Sequence, residues 1–124
     1  MSIRALVIND TEALAALWRH GPFLIYKHSP FCGISRIALR QVETFADAHP
    51  DCEVVQVDVV RQCSLSRQIA AALGLAHASP QAILVVDGRV AWSATHFGVT
   101  ARAIGAAVRS TTATKSESRL DPVG

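Results

Sequence analysis

The chain has 124 residues, half of them apolar, with a formal charge of +2 and three cysteines. That length accommodates one domain with its own core and no need of metal or disulfide staples. The charge is too small to argue for nucleic-acid or membrane partners, and Cys32, Cys52 and Cys63 form neither a disulfide framework nor the paired spacing of a zinc site.

Ile3 to Ile8 is a short apolar run, read as an edge strand. Asp10 and Thr11 are caps for a helix over Glu12 to Arg19, with Leu14, Leu17 and Trp18 on its buried face, and His20-Gly21-Pro22 ends it. Phe23-Leu24-Ile25-Tyr26 reads as a central strand buried on both faces. A helix follows over Gly33 to Ala48, where Ile34, Ile37, Ala38, Val42, Phe45 and Ala46 recur at helical spacing, and His49-Pro50-Asp51 stops it. Glu53 to Val59 is a strand rich in β-branched residues. Ser64 is the expected cap of the next helix, through Leu65, Ile69, Ala72 and Leu73, closed by Gly74. Asp87-Gly88 joins Ala82–Val86 to Arg89–Ser93 as a hairpin. A last helix is expected over Phe97 to Val108. The domain is bounded at 1–109, and the Ser-, Thr- and charge-rich stretch 110–124 is expected to be a disordered tail. Arg109, Lys115 and Arg119 make that tail locally basic, but Glu117 and Asp121 offset them.

The order β-α-β-α-β-α-β-β-α is of the α/β class, a mixed sheet with helices on both faces. A thioredoxin-like fold has this order, and its redox site lies where a central strand hands over to a helix. That is where Cys32 stands.

Phe31-Cys32-Gly33-Ile34-Ser35 reads as a Cys-x-x-Ser site, with one sulfur at a helix N-terminus. The helix N-terminus favours thiolate over thiol, and the thiolate is what attacks disulfides. Ser35, one turn on, can donate a hydrogen bond to that thiolate but cannot close a disulfide with it. The plainer alternatives are a small buried cysteine and an ordinary first-turn serine. His28 and Lys27 stand four and five residues before the cysteine, where either raises the local positive potential or is simply solvated. Arg61 is a further candidate for that role. Ser79-Pro80 precedes a strand, the position of the substrate-facing cis-proline in thioredoxin-like folds; otherwise it is a turn proline. Cys63 opens on the same sheet edge as Cys32, as a resolving cysteine, a second thiolation site or a residue with no role. Cys52 lies at the opposite edge and reads as passive. His96 is a candidate neighbour of the site or a solvated cap. No segment has the length and flanks of a signal peptide or membrane span, so the expected location is cytoplasmic, where thiols stay reduced.

Lys27-His28-Ser29, Cys32, Ile34-Ser35, Ser79-Pro80-Gln81, the Asp-Gly hairpin, Trp92-Ser93-Ala94 and His96 resemble the YtxJ-type monothiol bacilliredoxins. The resemblance covers about residues 3–109. It implies a cytosolic thioredoxin-like protein that removes bacillithiol from S-bacillithiolated proteins, with Cys32 accepting the small thiol, Pro80 as the cis-proline and Ser35 closing the motif. Its partners would be S-thiolated client proteins and a low-molecular-weight thiol acting as co-substrate, with no metal or bound cofactor. Two residues depart from the family's Thr-Cys-Pro-Ile-Ser pattern. Gly33 loosens a helix start that proline would stiffen, and Phe31 makes the rim more apolar. Cys63 is outside the motif. The competing expectations are a dithiol cycle of Cys32 with Cys63, an arsenate-reductase-like or adaptor use of the fold, and a binding module that pairs peptides at Ser79-Pro80 without turnover.

Overall fold

A computed structural model describes residues 3–5 and 22–120. Five strands form one mixed sheet in the order β1-β3-β2-β4-β5. β1 (Ile3–Ala5), β3 (Glu53–Asp58) and β2 (Phe23–His28) run parallel, β4 (Gln81–Val86) is antiparallel to β2, and β5 (Arg89–Thr95) closes a hairpin on β4. The helix expected over Glu12–Arg19, with Trp18, lies outside the described residues.

β2 holds the centre, and all six of its residues are buried. Alternate side chains of a strand point to opposite faces. Leu24 and Tyr26 therefore join one core cluster with Val42 and Phe45 of α1 (Gly33–Ala48) and Ile104 of α3 (Ala101–Leu120). Phe23 and Ile25 join a second with Leu65 and Ile69 of α2 (Cys63–Leu73). Helices on both faces explain why β2 reads as a continuous apolar run. Each fully buried aliphatic or aromatic side chain there contributes about 1.5–3 kcal/mol.

α1 begins and ends where the periodicity puts it, but its buried stripe is Ser35, Ala38, Val42, Phe45 and Ala46. Ile37, expected on that stripe, is exposed. Ser35 takes the inward position because 35, 38, 42 and 45 share one face at 3.6 residues per turn.

α2 starts at Cys63 with Gln62 as its cap, rather than at Ser64. The Asp58 carboxylate accepts the N–H groups of Val60 and Arg61 at 2.9 and 3.0 Å, and Gln62 N–H reaches the Asp58 carbonyl at 2.8 Å. The turn is thus closed before Ser64, whose hydroxyl instead accepts from Gln68 within the helix. Asp87 and Gly88 both take positive φ, at 53° and 77°, as a type I′ hairpin turn requires.

The last helix differs from expectation at both ends. His96–Gly98 form a 3₁₀ turn, and α3 begins at Ala101, where Gln41 Oε1 accepts its N–H at 2.9 Å and the Thr100 hydroxyl accepts that of Ala103. α3 then continues through Ser110 to Leu120, into the stretch read as a disordered tail. No glycine or proline interrupts residues 106–120.

Gly74 ends α2 at φ 69°, with Leu75 N–H on the Ala70 carbonyl at 2.9 Å. A Cβ there meets no neighbour, so only the left-handed backbone penalises a side chain. Gly74→Ala is expected to lower stability by about 1 kcal/mol, seen as a lower urea midpoint at unchanged m-value. An unshifted midpoint would show that the cap does not need glycine.

Candidate active site

Four loops meet at one edge of the sheet. β2 and β3 end together, with His28 opposite Asp58; β4 begins there, with Gln81 opposite Lys27; and β5 ends there, with Thr95 opposite Gln81. The segments carrying Cys32, Cys63, Pro80 and His96 therefore open on the same side. The Ser79–Pro80 peptide is cis, Pro80 is buried, and its carbonyl accepts the backbone N–H of His96 at 3.0 Å.

Cys32 is the cap of α1, in extended backbone at φ −113° and ψ 125°. Its own N–H is held by the Ser29 carbonyl at 3.2 Å, and its carbonyl accepts Arg36 N–H at 3.3 Å. The first-turn N–H groups that follow it have no carbonyl within the helix to accept them. Those of Ser35 and then Ile34 hold its thiol below the usual range, aided by the Ser35 hydroxyl and opposed by partial burial. A serine side chain thus supplies a second donor where a dithiol site would carry sulfur.

Ser35 is fully buried. Its hydroxyl oxygen accepts the Ser29 N–H at 3.3 Å. Its carbonyl accepts the Tyr26 phenol at 2.8 Å, and the same phenol lies 3.1 Å from His28 Nδ1. A phenol has one proton and a carbonyl can only accept. That proton is committed to Ser35, so His28 Nδ1 carries a hydrogen and donates to Tyr26. Burial lowers the His28 pKa, with Asp58 opposing and Arg36 adding to the shift. Burial also pushes the Tyr26 phenol far above its usual range. Tyr26 is the residue that sequence reasoning missed, read only as part of a buried strand. The available signal was a lone hydroxyl in an apolar run, which must find a partner when buried.

The family model for monothiol bacilliredoxin BrxC matches residues 7–104. The chain belongs to that family. Its chemistry is accordingly thiol–disulfide redox, and the protein is a redox enzyme. Among solved structures it is similar to a protein with a thioredoxin fold, at 24% identity and TM-score 0.76, covering 86% of this chain and 93% of that one. It is also similar to the reduced thioredoxin pre-protein of Schistosoma mansoni, at 14% identity and TM-score 0.70 over 89% and 98% of the two chains. Mitochondrial thioredoxin 3 of Saccharomyces cerevisiae matches at 16% identity and TM-score 0.67, over 88% and 95%. At these identities the likeness establishes the thioredoxin fold.

The other candidate residues of this bacilliredoxin divide between the faces of the sheet. Cys63 is exposed at the start of α2, on the face opposite α1, and all three cysteines are free. Cys52 is buried at the far edge, its thiol pushed up to about 11 by burial and the Glu53 charge. His96 is exposed with a positive φ of 53° and meets the site through its backbone. Ser79 Oγ is buried without a hydrogen-bond partner among the described residues. Phe31 and Phe97 are large exposed apolar residues at the site edge, at 86% and 68% exposure. Among the described residues no group of His, Cys, Asp or Glu is placed to hold a metal, and no helix is long and apolar enough to cross a membrane.

Lys27 lies on the face away from Tyr26 and Cys32. It is wholly buried, donates to the Ser66 carbonyl at 2.9 Å and lies 3.4 Å from His77 Nδ1. Burial lowers its ammonium from 10.5 to about 8. Between those values the unfolded chain holds a proton that the folded chain has lost, so this group makes stability rise with pH there. The variant Lys27→Met lacks that contribution. Its stability relative to wild type is expected to fall by about 3 kcal/mol between neutral pH and pH 10.5, measured by urea titration at each pH. A pH-independent difference between the two proteins would show that Lys27 keeps an ordinary pKa.

Proposed function

We propose that this chain is a monothiol oxidoreductase that removes bacillithiol, or a similar small thiol, from protein mixed disulfides through Cys32. The Cys32 thiolate attacks the small-thiol sulfur, the client–thiol S–S bond breaks, and the client leaves as a thiolate that takes a proton from solvent. Cys32 then carries the small thiol. A free low-molecular-weight thiol attacks that adduct, releasing the small thiol as its disulfide and restoring Cys32. Client proteins are thereby reduced, and one molecule of small thiol is consumed as co-substrate for each turnover.

The observation that carries this reading is the cysteine that caps α1, its thiol pKa lowered by the first-turn N–H groups of Ser35 and Ile34, with a serine one turn along. A single-cysteine cycle is favoured over a Cys32–Cys63 pair because α1 and α2, which carry them, pack on opposite faces of the sheet. The apolar rim at Phe31 and Phe97 supports a polypeptide client as substrate. A cytoplasmic setting belongs to this reading, since the regenerating thiol must itself be kept reduced.

Incubating the reduced protein with a bacillithiolated client and following intact masses tests the cycle. Wild type is expected to gain one bacillithiol on Cys32 as the client is released, and Cys32→Ser to gain none. Loss of two hydrogens instead would establish the Cys32–Cys63 cycle, and absence of any transfer would overturn the assignment. Phe31→Ser is expected to raise KM for the protein client about fivefold, the worth of about 1 kcal/mol of partial burial. The same variant should leave reduction of a small symmetric disulfide unchanged; an equal loss on both substrates would place Phe31 outside client recognition.

A further inference from the structure

Ser35 lies in the first turn of the helix that Cys32 caps, and its N–H and hydroxyl both lower the Cys32 thiol pKa. What holds Ser35 is therefore as consequential as Ser35 itself. Its hydroxyl oxygen is held by the Ser29 N–H at 3.3 Å, a long bond, whereas its carbonyl is held by the Tyr26 phenol at 2.8 Å, a short one. The phenol in turn is oriented by His28 Nδ1–H at 3.1 Å. A phenylalanine would fill the same space in the core without needing either bond. The hydroxyl of a wholly buried tyrosine is thus engaged twice, with its proton on a first-turn residue of the helix that Cys32 caps.

We propose that Tyr26 is a positioning residue of the cysteine site, acting through Ser35. Its hydroxyl fixes the first turn of α1 so that the Ser35 N–H and O–H both meet the Cys32 sulfur. His28 is the outer member of this chain. With hydrogen on Nδ1 it directs the phenol proton to Ser35; the other tautomer would compete for that proton. The charged groups that face its ring are Arg36 from α1 and Asp58 from β3. The proposal rests on Cys32 as the reacting group and adds to it the device that keeps its donors in place.

The test is the pH dependence of Cys32 alkylation by iodoacetamide on the full chain, in a Cys63→Ser background so that Cys32 is the only accessible thiol. Tyr26→Phe is expected to move the alkylation midpoint upward and to slow reaction at neutral pH about two- to fivefold, the scale of one net hydrogen bond. Ser35→Ala should also move it upward, and the double variant should shift it by less than the sum, because both act through one residue. Val42→Ala, in the same core cluster as Tyr26, loosens packing without touching Ser35. It should lower Tm and leave the midpoint in place. An unchanged midpoint in Tyr26→Phe, or an equal shift in Val42→Ala, overturns the proposal. Bacillithiol transfer by wild type is scored separately. Its failure alongside a shifted midpoint would sink the proposed function and keep this inference, and the reverse pattern would do the opposite.

Discussion

The first turn of an α-helix leaves backbone N–H groups with no carbonyl to accept them, and at α1 the residue that caps that turn is Cys32, whose thiol pKa they lower. Everything else at the site either delivers the chain to that point or holds it there. β2 is buried along its whole length, so its end is fixed in three dimensions before the chain turns. The turn is short, held by Cys32 N–H on the Ser29 carbonyl, and the helix begins at the next residue. A negative sulfur in this place relieves unpaired donors at no structural cost, which is why a half-exposed cysteine here is chemically unlike Cys52, buried at the opposite edge.

The alternation of β2 then divides the polar chemistry between two faces. Tyr26 and His28 point toward α1 and join Ser35, whereas Lys27, between them in sequence, points toward α2 and joins Ser66 and His77. Adjacent residues thus serve unrelated purposes. Lys27 bridges β2 to α2 at the level where Gln81, its neighbour across the sheet, holds the Ala76 carbonyl in the approach to Pro80. Its buried ammonium costs stability at neutral pH.

A site with one sulfur and a serine depends on its surroundings for turnover. In the proposed cycle Ser35 cannot relieve a mixed disulfide, so an adduct on Cys32 would persist until an outside thiol removed it. Gly33 adds a second feature. It occupies the first helical position, where a proline would predefine the backbone, and its place makes the anchoring of Ser35 from below by Tyr26 more consequential. Phe31 and Phe97 add exposed apolar surface at the edge that carries Cys32.

The local devices were legible in sequence because their physics is local. Consecutive apolar residues marked β2, helical spacing bounded α1 at Gly33 and Ala48, Gly74 marked a left-handed cap, and Asp87-Gly88 marked a type I′ turn. The cysteine's position between a buried strand and a helix followed from the same signals, and with it the reading of a thioredoxin-like site. Tertiary structure decided what depends on register and face. Whether Tyr26 or Lys27 looks toward Cys32 rests on how β2 pairs with β3 and β4, whose residues stand some thirty and sixty positions further along the chain. The contact of His96 with Pro80 likewise needs the hairpin register, and the start of α2 needed the carboxylate of Asp58 to close its turn ahead of Ser64. Composition gave α3 an early end because it registers how few apolar residues follow Val108, whereas the backbone stays helical to Leu120. A sequence states which residues can bond. Only the folded sheet brings a phenol from one strand beneath a serine on the next helix.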